Sequence, residues 1–270
     1  MKYLDMLLNA VGLLMWLNWR SFKAIPPPSA LSLASLIRPA ERKRTRHLVF
    51  VAALPALLGL RALFYYQIGP PMDWTPQLSL GAVVLSFRGS SFWQMLAFSV
   101  LSWGLWMAVF YFCLLLLAAI NYRAPDTDPW LKLSRLHLGR VAFWPPYIQL
   151  LLPYLAGLIL WPPAHAILQR CNMAPAVTNL QLFKQSAIMG ISFLLSWQYL
   201  LIPLLTLYFL NTYIYFGSST FWAFVNNSGR NLLAPLRWLR VGRIDLAAPL
   251  MLALIVAGSI WLSRTMHRFF

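Results

Sequence analysis

"FWQMLAFSVLSWGLWMAVFYFCLLLLAAI", residues 92–120, runs for 29 residues without one charged side chain. A helix needs about 20 apolar residues to cross the hydrocarbon core of a bilayer, so this stretch reads as a membrane span with length to spare. Working outward, further apolar runs lie near residues 4–19, 48–66, 147–161, 187–216 and 246–262. The runs at 4–19 and 147–161 are short, and interfacial Trp16, Trp19, Trp144 and Trp161 would complete them. The whole chain is 60% hydrophobic and 10% charged, against about a quarter charged for a soluble domain. It lacks the polar side chains to cover a water-facing surface. The predicted fold class is therefore all-α: a polytopic helical membrane protein with about six transmembrane helices.

The net charge of +16 raises the question of nucleic acid, and the placement of the charges answers it. Segment 20–47 holds seven of the 22 Lys and Arg: Arg20, Lys23, Arg38, Arg42, Lys43, Arg44 and Arg46. Segment 121–146 holds Arg123, Lys132, Arg135 and Arg140, and segment 217–245 holds Arg230, Arg237, Arg240 and Arg243. The opposite side carries six, and Arg61 lies inside the second run. The positive-inside rule places loops 20–47, 121–146 and 217–245 in the cytoplasm, with the protein integral to the cell (inner or plasma) membrane. A surface facing anionic headgroups, with Arg42, Lys43, Arg44 and Arg46 as its densest cluster, accounts for the charge better than nucleic acid does.

The first run carries Arg20 and Lys23 behind it, whereas a cleaved signal has its positive charge in front. An uncleaved first helix with its N-terminus outside is expected, although Asn9 and Asn18 also suit an interfacial helix that does not cross. Cys113 in an apolar run and Cys171 in a loop sit at different depths, which argues against a disulfide.

The chain then repeats itself. "LHLGRVAFWPP" at 136–146 is echoed by "LRVGRIDLAAP" at 239–249, and "LSW" occurs at 101–103 and again at 195–197. Each copy reads as a long helix, a basic loop, an amphipathic stretch, Gly-Arg, a proline and a second helix. The copies begin and end on the same side and so run parallel, unlike the inverted repeats of many transporters. In the first stretch Trp130, Leu133 and Leu136 form the apolar stripe, and in the second Leu232, Leu236 and Leu239 do. A basic amphipathic helix of this kind lies in the membrane interface. Gly139 and Gly242 are expected to end these helices in the left-handed region, with Arg140 and Arg243 snorkelling to phosphate. Pro146 and Pro249 are expected to open the helices that follow. Domain boundaries at 1–90, 91–163 and 185–263 follow.

"NLLAPLRWLRVGRIDLAAPLMLALIVAG" resembles the characteristic motif of the YggT family of membrane proteins, through Pro235, Arg237, Gly242, Ile244, Asp245, Leu246 and Pro249. Ala247-Ala248 departs from the family pattern, and the first copy has Phe143-Trp144-Pro145 in place of the acidic turn. The resemblance is good over 187–262, looser over 92–161, and covers little of 1–90. It implies a membrane-embedded, non-catalytic accessory or assembly role, since family members have no assigned reaction.

Chemistry-bearing residues are sparse. None of the six acids falls in mid-span, and the four His lie near loop boundaries. Intramembrane Arg61 is the one default flag for function, and its position near the end of its run suggests snorkelling to the outer interface. Asp126 or Thr127 is expected to cap the helix after "APDTDP", and Asp245 to cap the helix after it. No catalytic set, metal spacing or cofactor motif is read. Segment 67–90 reads either as a short strand hairpin or as an interfacial helix.

Two functions are consistent with this pattern. The first is a non-enzymatic membrane scaffold or assembly protein, touching anionic lipids and other membrane proteins or its own copies. The second is a permeation protein for small solutes or cations, linked to osmotic balance and lined by some of Asn9, Ser102, Ser192, Ser196, Gln198 and Thr206.

Overall fold

The computed structural model describes residues 2–24, 41–72, 74–80, 83–124, 128–214, 216–217, 219–241 and 244–268. These residues are almost entirely helical: α1 (Lys2–Ala24), α2 (Glu41–Ile68), α3 (Phe92–Ile120), α4 (Pro129–Leu138), α5 (Pro146–Arg170), α6 (Asn179–Leu195), α7 (Gln198–Tyr213), α8 (Thr220–Leu232) and α9 (Ala247–Arg268). Two short antiparallel hairpins complete them, β1 (Gln77–Leu80) with β2 (Val83–Ser86), and β3 (Arg240–Val241) with β4 (Ile244–Asp245). Segment 67–90 thus takes the hairpin form of the two open to it.

Four helical stretches are long and apolar enough to cross a membrane: Phe92–Ile120, Pro146–Arg170, Asn179–Tyr213 and Ala247–Thr265. The apolar part of α2, Ala52–Ile68, is shorter. The basic cluster at 41–47, read from sequence as loop, is helical backbone at the start of α2. No helix breaker occurs there, and Glu, Lys and Arg are good helix formers.

The chain forms two units. The first comprises residues 1–78 and 86–108, the second 79–85 and 109–270, and α3 contributes residues to both. In the first unit α1 packs on α2. A Cβ on Gly12 would come within 2.8 Å of Trp103, so the glycine lets the indole lie against α1. An aromatic group of Tyr65, Trp74, Phe87 and Phe98 fills the other end, with ring centroids 5.0–6.1 Å apart.

In the second unit α5 and α6 form an antiparallel hairpin whose backbones touch. A Cβ on Gly157 would stand 2.4 Å from Gly190 N, an approach that only paired glycines permit. Together α6 and α7 cover 35 residues, about 52 Å of helix, against about 30 Å of hydrocarbon. They are broken at Ser196–Trp197, where Ser196 N and Trp197 N donate to carbonyls three residues back. Ser196 Oγ also donates to Phe193 O, and Pro203 follows within two turns. Leu204, Leu205, Tyr208, Val225, Leu233, Ala247 and Ala248 make the core against which α8 and α9 close.

The second copy of the repeat departs from the expected helix. The helix α8 ends at Leu232, and residues Ala234–Leu239 form a 3₁₀ turn. Pro235 is the cause, since it lacks an N–H and disfavours α geometry at Ala234. Leu232, Leu236 and Leu239 consequently pack on the protein core rather than forming one stripe toward lipid. The chain then reverses through the β3–β4 pair, with Arg240 opposite Asp245 and Val241 opposite Ile244.

Candidate functional site

Among the described residues the charged side chain buried most deeply is Arg61, 2% exposed on α2. Four side chains from three helices converge on it. From α1, Asp5 and Asn9 lie one turn apart and share a face. From α2 itself, Tyr65 lies one turn beyond Arg61, and from α3 comes Ser102. Arg61 Nη1 donates to Asn9 Oδ1 at 2.6 Å, and Nη2 donates to Asp5 Oδ1 at 2.9 Å and to Ser102 Oγ at 3.2 Å. Arg61 Nε donates to Tyr65 OH at 3.2 Å. The ring closes without the arginine too: Asn9 Nδ2 donates to Ser102 Oγ at 2.9 Å, and the Tyr65 hydroxyl donates to Asp5 Oδ1. Phe98 and the Tyr65 ring cover the guanidinium, with its carbon 5.7 and 5.4 Å from the two centroids.

Arg61 therefore does not snorkel. Its side chain is turned into the first unit, where α1 supplies both a counter-ion and an amide acceptor. A guanidinium carries five N–H donors in a rigid fork, and this site meets all three of its nitrogens. The Asp5 carboxylate is 19% exposed on its side chain against 1% for Arg61, so the pair has an inner cation and an outer-edged anion. As a unit it is electrically neutral, so neither charge is buried without compensation. In the sequence Arg61 stands out as an intramembrane charge expected to snorkel, and Asn9 and Ser102 as two of the candidates for lining a pore. The pairs Asp5/Asn9 and Arg61/Tyr65 at four-residue spacing were the legible signal.

The motif residues are distributed along the second unit. Gly139 closes α4 with φ +61°, and its N–H donates to Arg135 O. Arg140 is exposed in the 3₁₀ turn Gly139–Phe143, and Pro146 is the first residue of α5. Gln149, unnoticed in the sequence, is the fastener of this turn: fully buried, its Nε2 lies 3.0, 2.9 and 3.0 Å from the carbonyls of Val141, Ala142 and Trp144. The cap of α4 is Asp128, accepting from Trp130 N at 3.0 Å, rather than Asp126 or Thr127, which lie outside the described residues.

In the second copy Pro235 and Arg237 fall in the 3₁₀ turn, and Asp245 in β4 two residues before α9 begins. Pro249 is the third residue of α9 rather than its first. Gly242 and Arg243 lie outside the described residues, as do the side chains of Arg237, Asp245, Arg42, Lys43, Arg44 and Arg46. The residues before position 242, Arg240–Val241, are strand rather than the end of a helix.

A second polar group lies at the end of α3. Asn121, 1% exposed, donates from Nδ2 to Ser228 Oγ at 3.0 Å and to Leu117 O at 3.1 Å, and it accepts at Oδ1 from Asn231 Nδ2 at 2.9 Å. Arg135 Nη2 donates to Asn121 O at 3.3 Å and Ala124 O at 3.0 Å, satisfying carbonyls that the end of α3 leaves open. Among the described residues no group of three or more His, Cys, Asp or Glu is placed to hold a metal ion. No family model, no curated protein and no solved structure matches the chain.

Proposed function

We propose that the protein is a non-enzymatic membrane scaffold or assembly protein of the YggT type. It sits in the cell membrane with six crossings, α1 and the apolar part of α2 adding to the four longer helices. Its basic segments 20–47, 121–146 and 217–245 face the cytoplasm and anionic headgroups. Membrane-protein partners or further copies of the chain meet its helix flanks.

The observation that carries this reading is how the polar side chains in the helices are used. Asn9 and Ser102, two of the candidates for lining a pore, are committed to Arg61. Ser192, Ser196 and Thr206 donate to carbonyls of their own helix at 2.8, 2.6 and 2.8 Å. A permeation path needs such groups turned toward a common lumen. Meanwhile α9 leaves Leu250, Leu254, Val256, Ile260 and Trp261 exposed, an apolar flank suited to lipid or a neighbouring helix.

Crosslinking in native membranes followed by mass spectrometry, beside solute and ion flux in proteoliposomes, tests the reading. Reproducible crosslinks from α9 to membrane proteins with silent flux are expected. Selective conductance by the purified chain would replace the scaffold with the permeation reading.

A further inference from the structure

A pocket of about 620 Å³ opens in the second unit where two membrane-crossing helices end. Ile120, at the last turn of α3, and Pro146, the first residue of α5, both line it, which places it at the bilayer interface. Its size falls within the roughly 300–1,000 Å³ of small-molecule sites. The chemistry of its wall is mixed. Ile120 and Leu131 supply apolar surface, while Arg123, Asp128, Asn227 and Asn231 supply one cation, one anion and two amides. No salt bridge joins Arg123 to Asp128 among the described residues. The pocket thus presents separate positive and negative groups beside hydrocarbon.

The wall is also braced from behind. Asn231 is held by Asn121, itself held by buried Ser228, and Arg135 clamps the turn that carries Arg123. Asp128 spends one carboxylate oxygen on capping α4, and a carboxylate offers about four lone-pair sites, so capacity remains. Such bracing lowers the ordering cost of binding.

We infer that this pocket binds the headgroup of a phosphatidylethanolamine-type lipid. Its phosphodiester meets Arg123 with the Asn227 and Asn231 amides, its primary ammonium meets Asp128, and its acyl chains leave along Ile120. Charge decides among lipids. A phosphatidylglycerol satisfies Arg123 but brings no cation to Asp128. A phosphatidylcholine brings a cation without an N–H to donate.

Native mass spectrometry of the full chain in detergent, with phosphatidylethanolamine, phosphatidylglycerol and phosphatidylcholine of matched acyl chains, tests the inference. Wild type should retain phosphatidylethanolamine about tenfold better than either competitor, the scale of one charge-assisted hydrogen bond. Asp128→Asn keeps a capping side chain and should level the preference between phosphatidylethanolamine and phosphatidylglycerol. Arg123→Gln should weaken both by about tenfold. Soluble glycerophosphoethanolamine at the same concentration should not displace the lipid. Equal retention of all three lipids by wild type, or a preference unchanged in Asp128→Asn, would overturn the inference. Full displacement by the soluble headgroup would overturn the lipid source. Circular dichroism of each variant separates lost binding from lost fold.

Discussion

Arg61 illustrates how one residue can decide whether a helix belongs to the bundle. Helix α1 carries Asp5 and Asn9 into an apolar setting, and both are acceptable there because Arg61 takes up their oxygens. Removing one partner of a buried pair costs about 3–5 kcal/mol, since the other charge is left without compensation. Arg61→Met should therefore sharply lower the folded yield and melting temperature in detergent. The double variant Arg61→Met with Asp5→Leu should recover much of the loss, because a well-packed apolar replacement of a buried pair is often neutral. Failure of the double variant to recover would assign the pair a role beyond packing. Gly139 makes a separate claim at this scale. A Cβ there meets nothing within 4 Å, so the cost of Gly139→Val comes from its φ of +61° alone. A loss of about 1–3 kcal/mol is expected, read as a shift in thermal unfolding, and Gly139→Asn should fare no better, because ψ of −130° lies outside the left-handed helical region that Asn tolerates.

At the scale of elements, the two copies of the repeat solve one turn by different means. In the first, Gln149 from α5 gathers the carbonyls of Val141, Ala142 and Trp144. In the second, the position ten residues after the glycine is Leu252, and the β3–β4 pair closes the turn through backbone bonds instead. Gln149→Leu should thus destabilise the first turn by about 1–3 kcal/mol, the cost of stranding buried acceptors. The matching Leu252→Gln should place an amide beside the second core and confer no stability; equal effects of the two would contradict the distinction. The α5–α6 hairpin depends on its glycines in the same local way. Gly157→Leu cannot be accommodated with Gly190 N 2.4 Å from the first side-chain atom. Expected outcomes are a marked fall in folded yield and loss of a disulfide engineered across the crossing.

For the whole molecule, the charge bias makes the testable statement. With fifteen Lys and Arg in segments 20–47, 121–146 and 217–245 against six on the other side, reporter fusions should place those three segments in the cytoplasm and both termini outside. A cytoplasmic N-terminus, with the three basic segments still cytoplasmic, would reduce the crossings by one and lay α1 in the interface. Replacing Arg42, Lys43, Arg44 and Arg46 by Gln removes about 1 kcal/mol of headgroup attraction per charge. Weaker binding to anionic vesicles with intact helices is expected. Unchanged binding and topology would point to a protein or nucleic-acid partner for the cluster.

Hydropathy and charge placement by themselves determined that the chain is helical and apolar enough to enter a membrane, because in a bilayer every backbone group must be paired within the segment. Gly139 at the end of α4 and Pro146 at the start of α5 were readable as well, since turns are local, whereas the cap of α4 is Asp128 rather than the expected Asp126 or Thr127. Three things were decided only by tertiary structure. Arg61 points inward because α1 brings a carboxylate and an amide to it from more than fifty residues away in sequence. Leu236 and Leu239 face protein rather than lipid because Pro235 breaks the helix and the β3–β4 reversal turns the chain back. Asn121, at the end of α3, meets Ser228 and Asn231 of α8 although they lie 107 and 110 positions away in sequence. A side chain's partner across such distances depends on how helices pack, and periodicity along one helix carries no information about its neighbour.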